Sequence, residues 1–216
     1  LDPRARFSST EEDYRRFRPD YPAALFDWIA KECDLAGGAR VLDVGCGTGI
    51  SSRQLAARGW EVVGLDPNAD MLAAAEAEPR PGLRYVQGDA EDPPALGRFD
   101  AIVGGQSFHW LDLDRALPRL LEVYPEYADV GAEPRADAVR ARVAGLALRE
   151  VELPHAQRLD RDGLLGRVWS SSYVKNVDLD RAAFDARLHA LFDRHADGGE
   201  IAFVYRTRAL SFAPGR

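Results

Sequence analysis

Four short apolar runs, each closed by glycine or a polar residue, alternate with amphipathic stretches through the first half of the chain. The runs at 39–45 (ARVLDVG), 61–66 (EVVGLD), 83–89 (LRYVQGD) and 99–106 (FDAIVGGQ) read as strands. Between them, 50–59 (ISSRQLAARG) reads as a helix closed by Gly59, and 69–78 (ADMLAAAEAE) as one capped by Asn68 and stopped by Pro79 and Pro81. Upstream, the 20–34 stretch puts Leu25, Phe26, Ile29 and Cys33 on one helical face, with Asp20 as the expected N-cap and Pro22 in the first turn. Further on, 145–153 and 200–212 read as strands, with a helix over 179–196 between them. Strands alternating with helices announce a parallel sheet with crossover helices, here of nucleotide-binding type.

Composition narrows the class. The 216 residues, 46% of them apolar, supply one substantial core and favour a single domain over 1–216. A net charge of −7 argues against a nucleic-acid surface, because the basic runs 15–18 and 206–208 are short and set among acids. Two cysteines, Cys33 and Cys46, make no disulfide framework, and no apolar stretch approaches the roughly 20 residues that span a bilayer. No signal-peptide pattern is read, so the expectation is a cytoplasmic protein without a membrane partner. The histidines show no metal-ligand spacing, and no metal is expected. Nothing in the sequence reads out an oligomeric state.

Candidate chemistry gathers after the first strand. Gly45, Gly47 and Gly49 fall where that strand turns into its helix, the place at which such sheets bind ligands. Without Cβ atoms they can take positive φ and let a ligand touch the main chain. Asp66 ends the second strand about 20 residues later, where a carboxylate can accept from both hydroxyls of a ribose. The spacing is GxGxG with Ile50 in place of the last glycine of GxGxxG, and no GK precedes Ser or Thr. A ligand with ribose and adenine but no phosphate suits it. Asp43 beside the loop would repel a pyrophosphate and favour an ammonium or sulfonium.

Four segments, VLDVGCGTG (41–49), VVGLDPNADML (62–72), YVQGDAED (85–92) and FDAIVGGQSFHW (99–110), resemble in order and spacing the motifs of class I S-adenosylmethionine-dependent methyltransferases. RFRPDYP (16–22), LLGRVWSSSYV (164–174) and FVYRTR (203–208) are similar to a bacterial small-molecule subgroup related to the trans-aconitate type. The resemblance implies an α/β, Rossmann-like, seven-stranded, mostly parallel sheet with helices on both faces and an antiparallel last strand. It implies S-adenosyl-L-methionine as cofactor and a small-molecule methyl acceptor. Gly45, Cys46, Gly47 and Gly49 would lie under the methionine moiety with Asp43 near its ammonium. Asp66 would hold the ribose, with Pro67, Met71, Asp89 and Ala90 around the adenine, while Glu91 is read as the exposed start of a loop. Gln106 would sit beneath the cofactor, and Tyr14 and Arg18 would close over it. Phe108, His109, Trp110 and Tyr21 would face the acceptor, joined by Trp169 and Tyr173 from an insertion at 154–199. Residues 1–38 would form the covering segment and first helix, and 39–110 the cofactor-binding half. His109 is the candidate general base, required only where the acceptor must lose a proton.

Two other classes compete. A noncatalytic cofactor-binding module would carry the same motifs. GQSFH (105–109) nearly spells the nucleophile elbow of an α/β hydrolase with Ser107 as nucleophile, but His109 stands where that elbow needs glycine. One departure from the methyltransferase pattern remains. Between Trp110 and Gly145 no strand is legible, so central strand five is expected to be missing from this chain. Roughly 25 residues, by ordinary connection lengths, would be absent near 119–122, with a second, shorter omission near 174–178.

Overall fold

A computed structural model describes residues 17–108, 111–123, 127–130, 148–171, 174 and 179–212. Strand β1 (Arg40–Val44) is the axis of the sheet. It pairs in parallel with β2 (Glu61–Asp66), Val41 beside Val62, and with β4 (Ala101–Gly105), Leu42 beside Ile102. Strand β3 (Leu83–Gln87) adds in parallel to β2. With β5 (Tyr127–Val130), β6 (Arg149–Leu159) and β7 (Ile201–Phe212), the strand order is β3-β2-β1-β4-β5-β7-β6.

Alternation along the inner strands sends side chains to opposite faces. Val41, Val62, Ala101 and Val103 pack with Leu25, Phe26 and Ile29 of α1 (Ala23–Glu32) and Leu55 of α2 (Ile50–Ala56). Leu42, Val44, Val63, Leu65 and Ile102 pack on the other face with Ala116 and Leu120 of α4 (Leu113–Val123). Because both faces are covered, these strands are apolar at nearly every position. Helix α3 (Ala69–Glu76) lies along β3 and β2. Asn68 caps it as expected, its side chain accepting from Asp70 N at 2.9 Å and Met71 N at 3.2 Å.

Three expectations are corrected. Helix α1 has Pro22, not Asp20, at its N-cap, with no side-chain cap bond. Proline's fixed φ, here −62°, sets the chain's entry into the first turn without a capping acceptor. Strand five is present: β5 pairs in parallel with β4 from Ile102 beside Tyr127 to Gly105 beside Val130, and antiparallel with β7 from Tyr127 beside Phe212 to Asp129 beside Leu210. Its sequence, YADV, is four residues with an acid inside, too short and too polar for an apolar-run criterion. Backbone pairing on both edges defines it. Helix α4 runs unbroken through 119–122, where residues were expected to be missing. The second suggested omission, at 174–178, falls almost wholly outside the described residues.

The chain divides into two compact units, one of residues 20–153 and 207–216 and one of 1–19 and 154–206. The second unit holds α5 (Arg161–Trp169) and α6 (Arg181–His195). Each is capped by an aspartate, Asp160 accepting from Gly163 N at 2.7 Å and Asp180 from Ala183 N at 3.1 Å.

Candidate cofactor site

The carboxyl ends of β1, β2, β3 and β4 converge on the bend 45–49. Leaving β1, Gly45 N and Cys46 N both donate to the Leu65 carbonyl, at 2.7 and 3.2 Å, which fastens the bend to β2. All three glycines are left-handed, with φ of 65°, 54° and 78° at Gly45, Gly47 and Gly49. Their reasons differ. A Cβ on Gly45 would stand 2.4 Å from Ser107 Cβ, and one on Gly49 would stand 2.1 Å from the Tyr85 hydroxyl. A Cβ on Gly47 would meet nothing within 4 Å among the described residues, so toward them the apex of the bend is open.

Asp66 meets that apex. Its Oδ2 accepts from Gly47 N at 2.8 Å and its Oδ1 from Asn68 N at 2.9 Å. The expected ribose carboxylate is therefore also the strut of the bend, a part the sequence reading missed. Each oxygen keeps a second lone-pair site. Burial raises its pKa above 3.8, opposed by the two backbone donors and aided by the nearby charge of Asp89.

Beneath the bend, Asp43 is fully buried. Ser51 and Ser52, in the first turn of α2, donate to its Oδ2 at 2.7 and 2.5 Å. Desolvation outweighs these bonds and, with some help from the charge of Asp66, lifts its pKa from 3.8 to about 6. Its Oδ1 and the buried Thr48 Oγ1 have no hydrogen-bond partner among the described residues. The Cys46 thiol, buried beside the same carboxylates, is pushed well above its ordinary 9.0 and stays protonated.

Met71 and Ala90 are buried at the start of α3 and just past β3. Pro67 lies between, its carbonyl accepting from Gln87 Nε2 at 3.1 Å. Glu91, read as an exposed loop residue, is half-buried, and its Oε1 accepts from Asp112 N at 2.9 Å just before α4. At the end of β4, Gln106 is exposed and holds φ of 62°, rare for a residue with a side chain and concentrated at functional sites. Tyr21 reaches the same edge, where a Cβ on Gly105 would meet its hydroxyl at 2.7 Å and Ser51 Oγ at 3.4 Å. A residue the sequence reading did not single out sets its place: Gln54 Oε1 accepts from Tyr21 N at 3.0 Å and Gln54 Nε2 donates to the Tyr21 carbonyl at 2.9 Å.

One expected role and one competing alternative do not match the geometry. Phe108 was expected to face the acceptor; it is buried in the core with Ile102, Leu120 and Phe212, against the surface left bare by Gly104. Ser107 Oγ donates to the Val44 carbonyl at 2.5 Å inside the core, which makes it a tie between β4 and β1 in place of an exposed nucleophile. In the second unit, Trp169 donates to Asp185 at 2.7 Å and packs edge-on against Phe184 of α6, as a helix-packing residue does. Arg18 also belongs to that unit. Tyr14, His109, Trp110 and Tyr173 lie outside the described residues.

These residues fit a cofactor that brings positive charge and hydroxyl donors. An open apex, two carboxylates raised by burial and by neighbouring acids, and unpartnered oxygens beneath suit an ammonium and a ribose better than a phosphate.

Residues 41–125 match the model of a methyltransferase domain. An uncharacterised methyltransferase of Mycobacterium tuberculosis is 37% identical over 118 residues, which are 54% of this chain and 46% of that protein. Trans-aconitate 2-methyltransferase of Deinococcus radiodurans is 45% identical over 87 residues, 39% of this chain and 33% of that protein. The structure of a candidate type II methyltransferase from Anaeromyxobacter dehalogenans superposes with a TM-score of 0.67 at 27% identity, covering 91% of this chain and 97% of that one. These likenesses support a class I S-adenosylmethionine-dependent methyltransferase, with the methyltransferase-domain match confined to residues 41–125. The chain spans about half the length of the first curated relatives it matches. Among the described residues no helix is long and apolar enough to cross a membrane.

Proposed function

We propose that this chain transfers a methyl group from S-adenosylmethionine to a small-molecule acceptor, at an oxygen, a nitrogen or a carboxylate, by in-line displacement. The observation that carries the reading is the open, left-handed apex at Gly47, strutted by Asp66 and underlain by buried Asp43. The sulfonium cofactor supplies an already activated methyl group, so the protein's share is positioning and exclusion of water. The bend lets the cofactor approach bare backbone, and Asp66 accepts from the ribose with its remaining lone pairs. Asp43 offers its second oxygen toward the ammonium, directly or through water, while Met71, Ala90 and Asp89 surround the adenine. Tyr21 and Gln106 line the rim at the end of β4. His109 takes the proton of an acceptor that must lose one, and a carboxylate acceptor needs no base.

Calorimetry with S-adenosylhomocysteine, followed by an acceptor screen that detects methylated product, tests the reading. Asp66→Ala is expected to weaken cofactor binding by about 1.5–3 kcal/mol, the scale of lost charge-assisted hydrogen bonds. An unchanged affinity removes the ribose assignment. Binding without transfer to any acceptor would leave a cofactor-binding module.

A further inference from the structure

We propose that the unit of residues 1–19 and 154–206 carries a binding site for a carboxylate, with Arg167 as its receptor. The inference does not use the methyl-transfer reading. Arg167 lies in the last turn of α5, half-buried. Its Nε donates to the Tyr205 hydroxyl at 2.9 Å, that hydroxyl donates to Gln157 Oε1 at 3.1 Å, and Gln157 Nε2 donates to the Phe17 carbonyl at 3.1 Å. The relay fixes the direction of every donor in it. The guanidinium carbon lies 5.6 Å from the Phe203 ring centroid and 5.7 Å from that of Tyr205, within cation–π range. Tyr205 stacks in turn on His155, with centroids 5.1 Å apart. His155 with Gln157 on β6, and Phe203 with Tyr205 on β7, are two residues apart, so each strand offers both members of its pair on one face.

This assembly orients a cation without neutralising it. Its two terminal nitrogens make no hydrogen bond or ion pair among the described residues. Other partly exposed arginines are matched by acids: Arg53 by Glu78, Arg161 by Asp193, and Arg208 by Glu150 and Glu152. In a chain of net charge −7, acids to pair with it are plentiful. A guanidinium held by Nε presents its terminal nitrogens as a planar fork, the geometry that receives a carboxylate through two parallel hydrogen bonds. Burial lowers the pKa of His155 below 6.5, so at neutral pH it adds an aromatic face and no second charge. A single fork matches the two oxygens of a carboxylate.

The test is a titration of the whole chain with acetate, citrate and inorganic phosphate at constant ionic strength, followed by NMR or calorimetry, with S-adenosylhomocysteine binding as the check on folding. Saturable carboxylate binding is expected, weakened about 10- to 100-fold in Arg167→Gln as a bidentate charged contact is lost. Arg167→Lys should recover only part, because an ammonium lacks the fork. Tyr205→Phe, which frees Nε and keeps the ring, should weaken binding several-fold, and it decides the matter if Arg167→Gln does not fold. Equal carboxylate affinity in a folded variant overturns the proposal. So does the absence of saturable carboxylate binding to the native chain, or tighter binding of phosphate than of either carboxylate.

Discussion

At the scale of single residues, the site is a set of acids made expensive to ionise. Asp43 holds its proton more tightly in the folded chain, with a pKa raised from 3.8 to about 6. Its contribution to stability is therefore full below the unfolded value and is lost as pH rises through the folded one. Between pH 4 and pH 6 it should remove about 3 kcal/mol, then level off. Asp66 is raised as well and acts in the same sense. Urea unfolding of wild type and Asp43→Asn across pH 4 to 7.5 checks this, since an amide can still accept from Ser51 and Ser52 but does not titrate. The variant should gain on wild type as pH rises, and parallel curves would show that Asp43 titrates normally. Residue type alone announced Asp43 and Asp66. It did not announce that Phe108 and Ser107 turn into the core, because residues just past the end of a strand can face either way until their neighbours fill one side.

The element that does most for the site is the bend between β1 and α2. Its three glycines look equivalent in sequence and are not. An alanine at Gly47 would carry the backbone strain of a left-handed residue, about 1–2 kcal/mol, and meet no atom of the described residues within 4 Å. At Gly45 it would meet Ser107 Cβ at 2.4 Å, a side chain already tied to Val44. We expect Gly47→Ala to fold with that modest loss in thermal or urea stability and yet lose most of its S-adenosylhomocysteine affinity, the new methyl occupying the cofactor's approach. Gly45→Ala should lose several times more stability. Equal behaviour of the two would contradict an open apex. Elements with strong periodicity, α1, α2, α3 and the first four strands, were legible within a few residues of their ends. Strand β5 was not, for a four-residue strand with an acid carries neither a run nor an alternation.

For the whole molecule, the last strand closes what the first one opens. Leu210 and Phe212 of β7 are almost fully buried, and Phe212 joins the core face built by Leu42, Val63, Ile102 and Leu120. Phe212→Ala should cost about 3–5 kcal/mol, as other buried aromatic truncations do, and lower the urea midpoint accordingly. A loss under about 1 kcal/mol, the level of ordinary surface changes, would mean that the 207–212 segment is not part of that core. The sequence by itself determined the parallel half-sheet, the glycine bend, the acid at the end of β2 and the class of cofactor, because these rest on local conformational preference and short spacings. Only the tertiary structure decided that β5 exists, that Asp66 props the bend, that Gln54 seats Tyr21 and that Asp43 is sealed beneath it. Each of those depends on groups distant in sequence, whose hydrogen bonds and desolvation arise only when the sheet is assembled.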